Sequence, residues 1–275
     1  MTNVLLYVVG PCLIISSFQI DSSEVGMKEV GTAFLVALLG QGLSILLSLF
    51  VFRRREEMRR RLFQFAVAYS NCGFMGLPLA QALMGDKGVI HASVFVVVFN
   101  VFVWTQGYMK MSGGARGNLV RKLLLNPGII GMAIGLPLFA LNIRLPEILG
   151  TTLSSFANLN TPLSMVIIGT YVAKVAPRDF FSDLDVYLTA GLRLIVAPLI
   201  FVGVLAILTL VVPIDATILV TCVILASAPA AGNTVLFSAM FGGDARTGSK
   251  VVAVTTLLSI LTMPVFTALA QRIAG

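Results

Sequence analysis

Long apolar stretches, separated by short polar and charged segments, follow one another along the whole chain. A helix needs about 20 apolar residues to cross the hydrocarbon core of a bilayer, so the pattern predicts an all-α polytopic membrane protein of about nine transmembrane helices. The connections are too short to form a soluble domain. The predicted spans, first to ninth, are Asn3–Ile20, Glu29–Phe52, Leu62–Met84, Gly88–Met111, Leu123–Asn142, Gly150–Lys174, Leu184–Val211, Ile214–Met240 and Thr247–Gln271.

Two of these spans carry helix-breaking residues in the middle of an apolar run. The third contains Asn71-Cys-Gly-Phe-Met-Gly-Leu-Pro78, and the eighth contains Ser227-Ala-Pro-Ala-Ala-Gly-Asn-Thr234. Proline removes a backbone donor, and glycine lowers the cost of unwinding. Paired broken helices at matching positions of two halves indicate a transport site. Two proline-kinked packing helices are the alternative interpretation.

The two broken spans also indicate an internal repeat. If the third span matches the eighth, the first, second and fourth match the sixth, seventh and ninth, and the members of each pair run in opposite directions. The fifth span is left without a partner, which would precede residue 1. We therefore predict inverted five-helix repeats with the first helix of repeat one missing. The first repeat is 1–111, the cytoplasmic linker is 112–122, and the second repeat is 123–275.

Composition and charge support a membrane location. Charged residues make up only 11% of the chain, against roughly 25% in soluble domains. Of the 19 Lys and Arg residues, 14 fall at one side of the spans, four at the other, and Arg193 within a span. The positive-inside rule then places the start of the chain in the cytoplasm and its C-terminus outside the cell membrane. The net charge of +7 follows from this topology, and no basic face typical of nucleic-acid binding is present.

Signals for other chemistry are absent from the sequence. We find no nucleotide-binding loop, metalloprotease motif or Ser/His/Asp arrangement. The three cysteines lie apart in apolar segments, without the spacing of metal ligands. An enzyme working inside the membrane would need paired buried acids or a nucleophile with a base. The sequence therefore predicts no enzyme, no cofactor and no metal.

Several motifs resemble those of the auxin efflux carrier family of membrane transporters, and they occur in the family's order over nearly the whole chain. The residues that carry the resemblance are Asn71-x-Gly-Phe-x-Gly-x-Pro78, Asn126-Pro-Gly-Ile-Ile130 with Gly135-Leu136, Thr161-Pro-Leu-Ser-Met165 with Gly169, Arg193-Leu194 with Ala197-Pro198, and Ala228-Pro-Ala-Ala231 with Asn233-Thr234 and Gly242-Gly-Asp244.

The resemblance implies ten helices in two inverted repeats, with the broken fourth and ninth helices crossing at a substrate site. It implies a secondary transporter of small organic anions, such as carboxylates, and dimers occur among relatives. The short segment from Lys110 to Lys122 is similar to compact prokaryotic-type carriers. The family's usual first helix has no counterpart in this sequence. We expect the small organic anion and the lipid bilayer as partners, together with a homodimer and no nucleic acid.

Neutral groups at the two breaks are the predicted substrate ligands. Half-helix N-termini direct backbone donors and a positive dipole end at the break, and asparagine side chains add hydrogen bonds. Helix packing is the alternative role for each glycine. The predicted substrate-binding residues are Asn71, Gly73, Gly76, Pro78, Thr161, Ser164, Pro229, Gly232, Asn233 and Thr234.

Arg193 is the only plainly intramembrane charge. We predict a structural or gating charge, and a side chain that extends back to the cytoplasmic surface is the alternative. No Asp or Glu lies deep within a span, and His91 lies at a helix end, so these residues do not support coupling to protons. Uniport and sodium coupling both remain open. A non-transporting membrane sensor or an inactive truncated carrier is the alternative function.

Overall fold

The computed structural model describes residues 4–19, 25–114, 121, 124–173 and 183–275 of the chain. Its described residues are helical apart from short connections and one isolated bridge between Ser70 and Ala230. The helices are α1 (5–17), α2 (Met27–Phe50), α3 (Glu57–Ala68), α4 (Cys72–Met111), α5 (Pro127–Ala140), α6 (Glu147–Ala157), α7 (Asn160–Ala173), α8 (Leu184–Leu208), α9 (Ala216–Ser227), α10 (Asn233–Met240) and α11 (Ala245–Ala274).

The helices have the length and surface expected in a bilayer. Among the described residues, α2, α4, α8 and α11 are long and apolar enough to cross a membrane, and α1, α5 and α9 are shorter apolar helices. Large apolar side chains such as Leu35, Ile207 and Leu261 are more than half exposed, which lipid tolerates and water does not. The prediction of an all-α polytopic membrane protein is confirmed.

The predicted third and fourth spans are linked through α4, which is kinked at one residue. Gly85 has φ 62° and ψ −154° inside this helix, a conformation that glycine adopts without the penalty a Cβ would bring. The first leg of α4 (72–84) completes the third span that α3 begins. The second leg (86–111) is the fourth span.

The predicted sixth span, Gly150–Lys174, is not one helix. It divides into α6 and α7, with Asn158 and Leu159 between them, while Lys174 lies outside the described residues. Pro162 explains the division, because its ring in an unbroken helix would clash with the carbonyl of Asn158. Starting α7 at Asn160 places this proline in a first turn, where no backbone donor is needed.

Two groups of helices pack around the site. In the first group, α1 lies against α5 and α6, and the α1–α5 contact passes over Gly131 and Gly135. A Cβ on Gly131 would come within 3.1 Å of the Pro11 backbone, and one on Gly135 within 2.8 Å of the Phe18 ring. In the second group, α2, α4, α8, α9 and α11 pack on one another. The inverted repeat and its boundaries stay predictions.

Candidate functional site

The two broken spans cross where both are unwound. The backbone N–H of Asn71 donates to the carbonyl of Pro229 at 2.7 Å, and that of Ala231 donates to the carbonyl of Tyr69 at 2.9 Å. These two bonds flank the bridge between Ser70 and Ala230 and pair the segments in antiparallel fashion. Unwound backbone at membrane depth must find its partners within the protein, and here each broken helix supplies them to the other. We call this pair of segments the crossover.

Arg193 occupies the side of the crossover at which α3 and α9 end. Its Nη1 donates to the carbonyl of Val67 at 3.1 Å and its Nε to that of Ala228 at 3.1 Å, while Nη2 donates to the carbonyl of Ala226. The side chain is 1% exposed, so it does not extend toward the cytoplasmic surface. One residue of α8 thus holds the C-terminal ends of both half-helices.

The charge at this side of the crossover is balanced without a carboxylate. A helix C-terminus carries about half a negative elementary charge, so two of them together oppose about one positive charge. The guanidinium of Arg193 supplies that charge and several N–H donors in a fixed plane. Its burial is tolerable because its donors meet carbonyls that have no acceptor role within their own helices.

The other side of the crossover opens into a cavity of about 150 Å³, which lies between the two groups of helices. Four helices begin at its wall: α4 after Asn71, α5 after Asn126, α7 at Asn160 and α10 at Asn233. Each N-terminus contributes roughly half a positive elementary charge, together with backbone donors of the first turn. Among the described residues that line this cavity none is charged.

Amide side chains supply most of the polar groups in the cavity. Five asparagines line it, the four at the helix starts and Asn100 from the second leg of α4. The Nδ2 groups of Asn71 and Asn160 are buried and have no hydrogen-bond partner among the described residues, and these two asparagines are only 5% and 4% exposed. Unpartnered buried donors are costly, so these two amides are free to donate to a ligand in the cavity.

Asn126 is already partly used by the fold. Its Oδ1 accepts from the backbone N–H groups of Gly128 and Ile129 at 3.0 and 3.2 Å, so it caps α5. Its Nδ2 lies 3.5 Å from Oδ1 of Asn100. A Cβ on Gly128 would come within 2.7 Å of the Asn100 amide, so glycine is required for this approach. The two asparagines form one polar wall of the cavity.

The structure separates the predicted substrate-binding residues into two sets. Asn71, Gly73, Gly232 and Asn233 line the cavity. At Gly73 a Cβ would meet no atom within 4 Å, whereas at Gly76 it would come within 3.2 Å of the Leu225 backbone, which is a packing contact with α9. The residues that do not line the cavity are Gly76, Pro78, Thr161, Ser164, Pro229 and Thr234, and the Ser164 side chain lies outside the described part of the chain.

Three of the five asparagines in the cavity were not predicted as ligands: Asn100, Asn126 and Asn160. A usable signal was present for two of them. Asn126 directly precedes Pro127, which is the arrangement of an N-cap followed by a proline at the first helical position. Asn160 lies two residues before Pro162, and a proline in this position indicates a nearby helix start. Asn100 lies within an apolar helix and carries no comparable signal.

The cavity extends from the crossover toward Leu5, Tyr7 and Gly10 at the start of α1. The charge rule predicts that this end of α1 is cytoplasmic. Leu13, one turn farther along α1, is 4% exposed and also borders a second, polar cavity between α1, α4 and α6. The walls of the two cavities thus share Leu13.

A family model described as membrane transport protein matches residues 1–120 and 115–267 of the chain. The chain belongs to the auxin efflux carrier family of membrane transport proteins. This confirms the family resemblance, and as a member of it the chain is a multi-pass membrane protein of a transporter family.

Two relatives agree with this placement. The chain is 23% identical to a protein named "Putative malonate transporter" from Rhizobium meliloti (strain 1021) over 255 residues, which cover 89% of this chain and 76% of that protein. It is 24% identical to an "Uncharacterized transporter" from Methanothermobacter thermautotrophicus over 203 residues, which cover 73% of this chain and 65% of that protein. The aligned part is therefore less than two thirds of the second relative.

Proposed function

We propose that this protein is a secondary transporter that moves a small organic anion, a carboxylate, across the cell membrane. The observation that carries the proposal is the uncharged cavity at the crossover, where four helix N-termini and five asparagines meet. Helix N-termini and amide donors bind anions without a permanently buried countercharge, whose desolvation is expensive. A cation would find four positive dipole ends and no acidic ligand among the described lining residues.

The size of the cavity limits the substrate to a small molecule. A volume of about 150 Å³ accommodates a compact carboxylate. The Rhizobium relative is named for malonate, a carboxylate of this size, so malonate is the first substrate to test. Aromatic groups such as Phe74, Phe99 and Trp104 form much of the remaining wall. They provide apolar contacts for the carbon skeleton of such an anion.

Alternating access around the crossover is the proposed mechanism. The cavity lies between two groups of helices, so a relative displacement of these groups changes which side of the membrane it faces. In the predicted orientation, with the start of the chain inside and the C-terminus outside, the present cavity extends toward the cytoplasm and Leu13 closes the route outward. Arg193 lies on α8 of the second group and donates hydrogen bonds to the ends of both half-helices that lead into the crossover. In this mechanism the crossover therefore moves together with the second group.

Uptake of labelled carboxylates into proteoliposomes tests the proposal. We expect wild-type protein to transport at least one small carboxylate above the level of protein-free liposomes. Asn71→Ala and Asn233→Ala should lose most of this flux, whereas Gln271→Ala, an exposed amide near the end of α11 that lines neither cavity, should retain it. Absence of flux for every carboxylate and every ion gradient contradicts transport, and carboxylate binding without flux supports the sensor alternative instead.

A further inference from the structure

The only histidine of the chain is completely buried, although its position in the sequence places it at a helix end. His91 is 0% exposed on the second leg of α4, six residues after the turn at Gly85. This leg packs against α2 and α9. The charge rule predicts that this end of the molecule faces the extracytoplasmic side.

Acidic groups approach this histidine from both neighbouring helices. The Nε2 of His91 lies 3.9 Å from the Oε2 of Glu29 in the first turn of α2. Burial of the ring opposes its charged form, as does Lys87 on the same leg of α4, whereas Asp215, which caps the start of α9, favours it. The Glu29 side chain is 37% exposed, so this carboxylate connects the buried ring to the aqueous side.

The neutral imidazole leaves its pocket incomplete. Neither ring nitrogen of His91 has a hydrogen-bond partner in the described protein, and the neutral ring always carries one N–H donor. A buried donor without an acceptor is costly. A proton on the second nitrogen would instead create an imidazolium facing one carboxylate at near contact and another at the start of α9, and a short movement of Glu29 would complete the ion pair.

We propose that His91 is a proton-binding site with Glu29 as its counter-ion, and that its protonation is linked to substrate transport. The site exchanges one proton with the extracytoplasmic solution: Nε2 or Nδ1 accepts it, the imidazolium pairs with Glu29, and the proton later returns to water. This rests on the proposed transport function and adds a coupling ion to it. It also revises the expectation that the residues do not support proton coupling.

Both helices that enclose the histidine lead directly to the cavity. Asn100 lies nine residues beyond His91 on the same leg of α4, a distance of about 14 Å along a helix. On the other side, α9 runs from Asp215 to Ser227, where the crossover begins. A change in the attraction among His91, Glu29 and Asp215 therefore acts on the helices that carry an amide ligand and one half of the crossover.

Direct titration of the ring tests the site itself. Because the chain has one histidine, ring carbon and nitrogen resonances of labelled protein in nanodiscs, purified with a histidine-free tag, report this group alone. We expect a single titration between about pH 4 and 8 that moves to lower pH in Glu29→Gln. A ring that stays neutral throughout, or a titration that Glu29→Gln leaves unchanged, overturns the site.

Flux measurements test the link to transport. Uptake of labelled malonate is measured at external pH values from about 7 to 4. Because malonate itself gains a proton in this range, the pH profile of each variant is compared with that of wild type. The ratio of wild-type to His91→Gln uptake should change about tenfold across the range. Glu29→Gln removes the counter-ion without disturbing the buried ring and should shift the profile as well. An unchanged profile in both variants overturns the link, even if flux persists. Absence of all carboxylate flux in wild type contradicts the transport function instead. In that case the ring titration alone still tests whether His91 binds a proton.

Discussion

The two sides of the crossover carry opposite partial charges, and the protein supplies a countercharge on only one of them. On one side the C-termini of α3 and α9 are held by Arg193, a residue of the protein itself. On the other side the N-termini of α4 and α10, joined by those of α5 and α7, face a cavity with no charged lining residue among those described. The protein supplies a permanent countercharge where the charge must stay. In the proposed mechanism, the transported anion occupies the complementary position.

Removal of the permanent countercharge should have the largest effect. Arg193→Met leaves the carbonyls of Val67, Ala226 and Ala228 without their donor and two helix C-termini without a cation. We expect a loss of about 3–5 kcal/mol in the free energy of unfolding, as for other broken buried charge networks. The midpoint of thermal unfolding in detergent measures it.

Arg193→Lys is the matched control for this prediction. It keeps the charge but not the planar set of donors, so its stability should fall between those of wild type and Arg193→Met. If Arg193→Met unfolds at the same temperature as wild type, the carbonyl contacts do not hold the crossover together.

Two glycines on the first leg of α4 distinguish the packed face from the open cavity. Gly76→Ala places a methyl group against the Leu225 backbone and should destabilise the protein by about 1–3 kcal/mol. Gly73→Leu points into open space and should leave stability near that of wild type while blocking carboxylate uptake. Thermal unfolding and flux are measured on both variants. Gly76→Ala should lower the unfolding temperature, whereas Gly73→Leu should abolish flux at a nearly unchanged unfolding temperature. Equal loss of stability in the two variants would place Gly73 in packed protein and not in the cavity wall.

The unpartnered amides should affect binding more than folding. Asn71→Ala and Asn160→Ala each remove a donor that has no partner among the described residues. We expect each to weaken carboxylate binding by about 1–2 kcal/mol, which is roughly five- to thirtyfold in Kd. Unfolding temperatures should stay equal or rise, because a buried unsatisfied group is removed. A drop in stability with unchanged Kd would show that these amides serve the fold.

Asn126 should give the smallest and most mixed effect. It caps α5 through two backbone N–H groups, so Asn126→Ala should cost about 1 kcal/mol of stability with a modest loss of affinity. Asn126→Asp preserves the cap but places a carboxylate in the cavity. It should therefore keep the unfolding temperature and weaken anion binding more than Asn126→Ala does. The reverse order of affinities would argue against an anionic substrate.

The sequence predicted the parts of this architecture that local chemistry determines. Asn71 to Pro78 and Pro229 to Asn233 interrupt apolar runs, and both breaks are present in the structure. The division of the sixth span was missed: one helix was predicted over Gly150–Lys174, whereas Pro162 lies in the first turn of α7.

Long-range partners could not be predicted in the same way. Arg193 was identified as an intramembrane charge, but its acceptors lie 33, 35 and 126 residues away in the chain, and no local pattern encodes that meeting. The same reason explains Asn100, which becomes a cavity residue only because Asn126 approaches it across Gly128. The burial of His91 likewise depends on how α2 and α9 pack against α4.

Competition between carboxylates and their uncharged amides tests the central claim most directly. Wild-type protein in proteoliposomes is given labelled malonate and other small labelled carboxylates, each with an excess of the matching amide, such as malonamide. The open positive side of the crossover predicts uptake of at least one carboxylate and little competition from its amide, since the amide has the shape of the substrate without the charge. Equal competition by the amide, or uptake of neutral compounds alone, would contradict an anion site at these four helix N-termini.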